Sequence, residues 1–282
     1  MIKLCLLAFA SLLAAAPAMA ADAYASDWVK GLKSSARLIA AGGEETKVYR
    51  AGVEIALEPQ TITYWRAPGD AGVPPVFTFR NQQNIQKIEV LYPAPARVSE
   101  NGAELFGYQG GVIFPVHITA LDPAKPVTLD LMLDYAACEK ICIPAQAHLT
   151  LNLPAAKSPP GPHAGRIALA EARVPEKQDA GAAKALTLRA LTRKAVSGKP
   201  VFEAEIVAPA GVTDISVFPE TPDYWFIKAG AAAAAPGNVF RVAVTVEDKP
   251  RDANEVKISL TIVAAGQSIE VTKLLDVAAA KP

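Results

Sequence analysis

The clearest alternation in the chain runs from Val127 to Asp134. Leu129, Leu131 and Leu133 point one way, and Thr128, Asp130 and Asp134 point the other. A period of two places alternate side chains on opposite faces of a pleated strand, so this stretch reads as a half-buried β-strand. Leu149, Leu151 and Leu153 repeat the pattern, and Val53–Leu57, Val76–Phe79 and Ile85–Tyr92 carry β-branched or aromatic residues at the same period. Strands at this spacing, with Pro and Gly between them, predict an antiparallel β-sandwich.

The texture changes after Pro154. Lys157-Ser158-Pro159-Pro160-Gly161-Pro162 has a linker composition, and Arg166 to Arg173 predicts a short helix that stops before Pro175. A second alternating block follows, with Val201–Val207, Ile215–Phe218, Phe240–Val246, Val256–Val263 and Ile269–Leu275. Ala264-Ala265-Gly266-Gln267 reads as the turn of a hairpin. The expected fold class is therefore all-β: two immunoglobulin-like β-sandwich domains in tandem, joined by a Pro/Ala-rich linker with a short helix. The expected bounds are 1–20 for a signal peptide, 21–154 for the first sandwich, 155–183 for the linker and 184–282 for the second sandwich. Both blocks carry a Tyr-Trp pair, Tyr64-Trp65 and Tyr224-Trp225, at different places in the strand order, and no repeat is read from them.

The first twenty residues have the form of a secretory leader. Lys3 supplies the positive start, Leu4 to Ala16 the apolar run, and Ala18-Met19-Ala20 the small-x-small cleavage pattern. Nothing after it is long and apolar enough to predict a membrane span. The composition looks bacterial, so the expected destination is the periplasm. The 28 Lys and Arg balance 28 Asp and Glu, and loss of Lys3 leaves one formal negative charge. Without a basic run, there is no electrostatic case for nucleic acid as a partner.

Two of the three cysteines lie in YAACEKICIP, as Cys138 and Cys142; Cys5 belongs to the leader. A separation of four residues allows a disulfide if a turn brings the Cα atoms within about 7 Å. Three uses remain open for such a pair. A structural staple is the common fate of paired cysteines in exported proteins. Yet closing so short a loop stabilises by only about 2 kcal/mol, against about 4.7 for a loop of 100 residues. A short bridge near the surface suits thiol–disulfide exchange better. Lys140 would favour a thiolate there and Glu139 would oppose it. Extending the alternation of the Leu129 strand puts Cys138 on the outer face, which favours it as the exposed, attacking sulfur.

The third use is metal binding, in which two thiolates and an imidazole would suit copper(I) or zinc. His163 falls in the linker and reads as solvated. His148 shares the outward face of Thr150 and Asn152, about 20 Å from Cys142 along an extended chain. Only His117, in the Val112–Leu121 strand, could join Cys138 and Cys142 as a copper ligand. Other chemistries find no motif: there is no G-x-S-x-G elbow, no phosphate-cradling glycine loop and no H-E-x-x-H.

An ordered series of motifs carries a resemblance. Phe106-Gly107-Tyr108 lies inside NGAELFGYQG and is followed by the strand Val112-Ile113-Phe114-Pro115-Val116. YAACEKICIP comes next, with Tyr135 before its first cysteine and Pro144 after its second, and HLTLNLP ends the series. From about Trp28 to Pro154 the chain resembles the amino-terminal periplasmic domain of the disulfide reductase DsbD, and more closely its ScsB-type relatives. The resemblance implies an immunoglobulin-like sandwich whose redox-active disulfide, Cys138–Cys142, needs no other cofactor. It implies electrons arriving from a membrane-embedded thiol reductase and passing to a disulfide-bearing periplasmic protein. It also implies that Glu104 to Tyr108, with Leu105, Phe106 and Tyr108, forms a cap loop with an aromatic ring over the sulfurs.

The chain departs from that pattern in two ways. Its cysteines are closer together than is usual in the family, and it ends at Pro282 where the family would continue into a membrane reductase and a thioredoxin-like domain. The residues after Ala183 resemble the second sandwich of ScsB-type proteins, with an architectural role. The expected function is a free-standing thiol-disulfide relay of protein-disulfide reductase type. The alternatives are a copper(I)-binding copper-tolerance protein and a binding module with a structural disulfide.

Overall fold

A computed structural model describes residues 22–42, 47–100, 102–154, 158–194, 199–222, 225–250 and 252–278. Residues 1–20, expected to be a secretory leader and containing Cys5, lie outside the described residues, as does Tyr224. The strands of the first unit are β1 (Val29–Lys30), β2 (Ser34–Ala40), β3 (Val48–Leu57), β4 (Ile62–Gly69), β5 (Val76–Arg80) and β6 (Ile85–Val90). They continue as β7 (Ala96–Glu100), β8 (Ala103–Gln109), β9 (Gly111–Ala120), β10 (Thr128–Cys138) and β11 (Cys142–Asn152). A single helix among the described residues, α1 (Ala164–Glu171), precedes β12 (Glu176–Lys177), β13 (Thr187–Lys194), β14 (Val201–Val207) and β15 (Ile215–Glu220). The chain closes with β16 (Phe226–Ala229), β17 (Ala233–Ala235), β18 (Val239–Asp248), β19 (Glu255–Ala264) and β20 (Gln267–Asp276).

These strands build two sandwiches in tandem, as the alternation predicts. In the first, a sheet ordered β1-β2-β3-β9-β6 faces one ordered β11-β10-β4-β8-β7, with β5 also paired to β10. Leu129, Leu131 and Leu133 of β10 and Leu149 of β11 point inward, where they share one apolar core with Leu38, Val53, Ile55, Phe114 and Ile118 of the opposite sheet. The second sandwich stacks β12-β20-β19-β15 on β13-β14-β18-β16, with β17 also paired to β18. At the 264–267 turn, Ala265 and Gly266 both take positive φ, 47° and 77°, while Ala264 pairs with Gln267. That is the two-residue hairpin loop whose twist matches the flanking strands.

The connecting segment is tied to the first sandwich at several points. Gly161 N–H donates to Ala41 O at 2.6 Å, and the Tyr24 hydroxyl donates to Pro159 O at 3.0 Å. Helix α1 lies on the first sheet, with Ile167 buried against Ile39, Ala41 and Ile113. Arg166 pairs with Glu54, and Glu171 takes Arg50 and His117. His163, expected to be solvated, is instead buried at the helix start with Nε2 2.9 Å from Asp22. The reason is tertiary: the helix it opens is pressed onto the sheet. The chain then adds β12 alongside β20 as a parallel partner.

The sandwiches also meet directly. Phe218 of β15 is 1% exposed and belongs to the core of the first unit. Its ring sits edge-on to Phe106 at 5.0 Å and to Trp65 at 6.2 Å between centroids. Arg66 forms ion pairs with both Glu220 and Glu270, Arg97 donates to Val217 O at 2.9 Å, and Lys228 lies 3.0 Å from Asp70. Among the described residues no helix is long and apolar enough to cross a membrane.

Candidate functional site

Strands β10 and β11 form one hairpin paired without a register break from Thr128↔Asn152 to Cys138↔Cys142. The cysteines are therefore the last cross-strand pair before a loop of Glu139, Lys140 and Ile141. Their Cα atoms are 4.1 Å apart and their sulfurs are bonded. A hairpin brings directly opposed side chains within reach whenever the register runs true to its end. The short spacing in sequence is thus a consequence of the tight loop.

The two sulfurs have unlike surroundings. Cys138 keeps the strand parity read from the sequence, but it is 2% exposed. This corrects the expectation that it faces solvent. Along its length β10 changes neighbour, from β5 at Asp130–Asp134 to β4 at Cys138, which pairs with Ile62. There Ile62, Tyr64, Leu105 and Ala136 close over the outward face and form a small apolar cluster with Cys138. Cys142, across the hairpin, is exposed.

Tyr64 is the aromatic residue at the sulfurs. It is 2% exposed, and its hydroxyl lies 3.2 Å from Cys142 Sγ. Because a disulfide sulfur carries no proton, the phenol is the donor. Gly107 of β8 is its cross-strand partner. A Cβ on Gly107 would come within 2.2 Å of Thr63 O, so the glycine of Phe106-Gly107-Tyr108 lets β8 close on β4. On the other side, Gly72 lies against the ring: a Cβ there would be 2.4 Å from Tyr64 Cε1, at a φ of +128°.

The expected cap loop is a regular strand. Residues Ala103–Gln109 are β8, hydrogen-bonded to both β4 and β7. Of the three expected cap residues only Leu105 meets the cysteine cluster. Phe106 and Tyr108 have the opposite parity and face the main core, Phe106 against Phe218 and Tyr108 edge-on to Phe114 at 5.4 Å. Tyr108 donates to Pro93 O at 2.7 Å, and burial pushes its hydroxyl well above the ordinary range.

The remaining candidates surround the hairpin tip. Tyr135 is buried on the core side and shares a 2.9 Å hydrogen bond with Ser34 Oγ; burial raises its pKa. Glu139 pairs with Lys33, whose hydrogen bond holds the carboxyl below the ordinary carboxylate range. Lys140 and Pro144 are exposed, and Ile141 between the cysteines is 72% exposed. His117 sits on β9 in the other sheet, with Nε2 2.8 Å from Glu171. It is not brought to the sulfurs, and among the described residues no group of three or more His, Cys, Asp or Glu side chains is placed to hold a metal ion.

One cysteine of the bonded pair is thus exposed and the other buried, which leaves the two chemically distinct. Residues 35–154 match the family model described as thiol:disulfide interchange protein DsbD, N-terminal. This segment resembles the DsbD N-terminal domain. The solved N-terminal periplasmic domain of ScsB from Proteus mirabilis is similar over 90% of this chain and 99% of its own, with a TM-score of 0.69 and 20% identity. That likeness extends the shared fold beyond the DsbD N-terminal-like domain into the second sandwich. A conserved domain protein from Bacillus anthracis overlaps 89% of each chain at 6% identity and a TM-score of 0.23, which carries no argument. No curated protein matches the chain.

Sequence reasoning missed Tyr64 as a site residue of the DsbD N-terminal-like domain. It was visible only as half of a Tyr-Trp pair, and nothing local connects it to a cysteine 78 positions away.

Proposed function

We propose that this chain is a periplasmic thiol–disulfide exchange protein. It takes two electrons from a membrane-embedded thiol reductase and passes them to a protein disulfide through Cys138 and Cys142. The observation that carries the reading is the in-register pair with Cys142 exposed and Cys138 buried. The match of residues 35–154 to the DsbD N-terminal family supports it.

The donor's thiolate attacks Cys142 Sγ, the sulfur within reach, and Cys138 leaves as the thiolate and takes up a proton. The donor's second thiol then displaces Cys142, leaving the donor oxidised and the pair reduced. In the forward step the Cys142 thiolate attacks the acceptor's disulfide and forms a mixed disulfide. Cys138, one hairpin rung away, attacks Cys142 Sγ and releases the acceptor as a dithiol. Two electrons pass at each stage, and the pair returns to its bonded form. The Tyr64 phenol donates more strongly to a thiolate than to a disulfide sulfur, so it steadies Cys142 whenever that residue attacks or leaves.

The test is equilibration with thiol buffers, followed by transfer to a thioredoxin-fold protein carrying a disulfide. A pair that exchanges at potentials near the glutathione range and reduces that protein supports the proposal. A bridge that resists reduction until below about −300 mV is a structural disulfide, and the proposal falls.

A further inference from the structure

Three consecutive residues of β4 divide their contacts in a telling way. Tyr64 touches the Cys142 sulfur. Trp65, fully buried, packs edge-on to Phe218 of the second sandwich. Arg66 is clamped between Glu220 and Glu270, from two strands of that same sandwich. The segment over the Tyr64 ring is held from the same side: Gly72 rests on the ring, and two residues earlier Asp70 is gripped by Lys228 at 3.0 Å and by Glu104 N–H at 3.0 Å. On β8, Leu105 meets the cysteine cluster and its neighbour Phe106 meets Phe218. The second sandwich thus contacts both the tyrosine's strand and the loop that covers its ring.

We propose that the second sandwich is a positioning element of the redox site: through Phe218, Glu220, Glu270 and Lys228 it holds Tyr64 on Cys142 and so sets the reduction potential of the pair. This rests on the reading of Cys138–Cys142 as an exchanging pair. A strand fixed at 65 and 66 has little freedom at 64, and a phenol 3.2 Å from sulfur loses its hydrogen bond after a displacement of about an ångström. Tyr64 is the group that touches the reacting atom, and the four residues of the second sandwich act through it.

The reaction read in the test is the exchange of the bonded pair with two molecules of glutathione, giving the dithiol and glutathione disulfide. The full chain is compared with Tyr64→Phe, with Phe218→Ala, and with the combined variant Glu220→Gln, Glu270→Gln, Lys228→Met. That third variant removes interface charges without opening a core, so it keeps the test usable if Phe218→Ala fails to fold. Removing a donor that favours the thiolate shifts the equilibrium toward the disulfide. The expected shift for Tyr64→Phe is about tenfold, or about 30 mV for this two-electron couple. The combined variant should shift it several-fold in the same direction and raise the pH at which Cys142 is alkylated. Added to Tyr64→Phe, it should shift neither quantity further.

The inference is overturned if the combined variant folds with the wild-type melting profile and keeps the wild-type equilibrium. It is equally overturned if its shift adds in full to that of Tyr64→Phe. Failure of the relay itself would show separately, as a wild-type pair that equilibrates with glutathione yet transfers nothing to a protein disulfide.

Discussion

Cys138 and Cys142 are direct cross-strand partners, yet only Cys142 lies open to solvent. Nucleophilic exchange needs a line of approach along the S–S axis, and the Ile62–Tyr64–Leu105 cluster closes the side belonging to Cys138. The order of attack follows. Cys138→Ser should leave a reactive Cys142 that accumulates a mixed disulfide with a disulfide-bearing partner. Cys142→Ser should leave a shielded thiol that traps little. Non-reducing electrophoresis of the two variants after incubation with the same partner checks this. Equal trapping by both would contradict the assigned roles.

The bridge should contribute little to folding. It closes a loop of about five residues in a hairpin already held by a full ladder, which corresponds to about 2 kcal/mol. Denaturant unfolding with and without reductant should therefore give midpoints that differ modestly, and the reduced protein should keep its far-ultraviolet spectrum. Collapse of the first sandwich on reduction would identify a staple.

Gly72 is irreplaceable for two separate reasons, its φ of +128° and the Tyr64 ring 2.4 Å from where a Cβ would stand. Gly72→Ala should cost about 1–3 kcal/mol from backbone strain alone. The collision adds to that or displaces the ring. Where the protein still folds, Cys138 should gain exposure, and its alkylation in the reduced protein should accelerate severalfold. Gly102→Ala is the control, since it shares the positive φ but has no atom within 4 Å of an added Cβ.

The strands that alternate cleanly were legible residue by residue. Val201–Val207 coincides with β14, and the 264–267 turn falls where the positive-φ pair lies. Strands with broken alternation were not. β13 carries a bulge between Leu188 and Ala190, and β4 loses register between Tyr64 and Gly69. At the site, the hairpin made the cysteine pairing visible, because that contact is local. The burial of Cys138 was not visible, because parity assigns a face and only the neighbouring strands decide whether that face is covered. The aromatic ring at the sulfurs went to the wrong strand for a related reason. Phe106 and Tyr108 look available in a segment containing a glycine, but that glycine serves the close approach of β8 to β4, and strand parity turns both rings inward.

The docking of α1 should depend on acid. Burial alone would raise the pKa of Glu54, but hydrogen bonds from Arg166 and Arg37 outweigh it and hold the carboxyl below the ordinary range. Glu171 is likewise lowered, with burial opposed by Arg50 and His117. A carboxyl with a depressed native pKa binds its proton less readily folded than unfolded. Its stabilising contribution is therefore complete above the unfolded value of about 4.3 and is lost as pH falls through the lower native value. Two such groups anchor the same eight-residue helix, and Ile167 and Ala170 are its only buried residues. Hydrogen exchange should consequently show amides of 167–173 losing protection below about pH 4 while those of β10 keep theirs. Glu54→Gln should weaken the helix by about 1–2 kcal/mol at neutral pH, because it removes the charge from the two Arg166 hydrogen bonds that tie the helix to the sheet and are partly open to solvent. The same variant should flatten the acid dependence. Loss of protection in α1 and β10 at one common pH would instead mean that the helix and the sandwich open as a single unit.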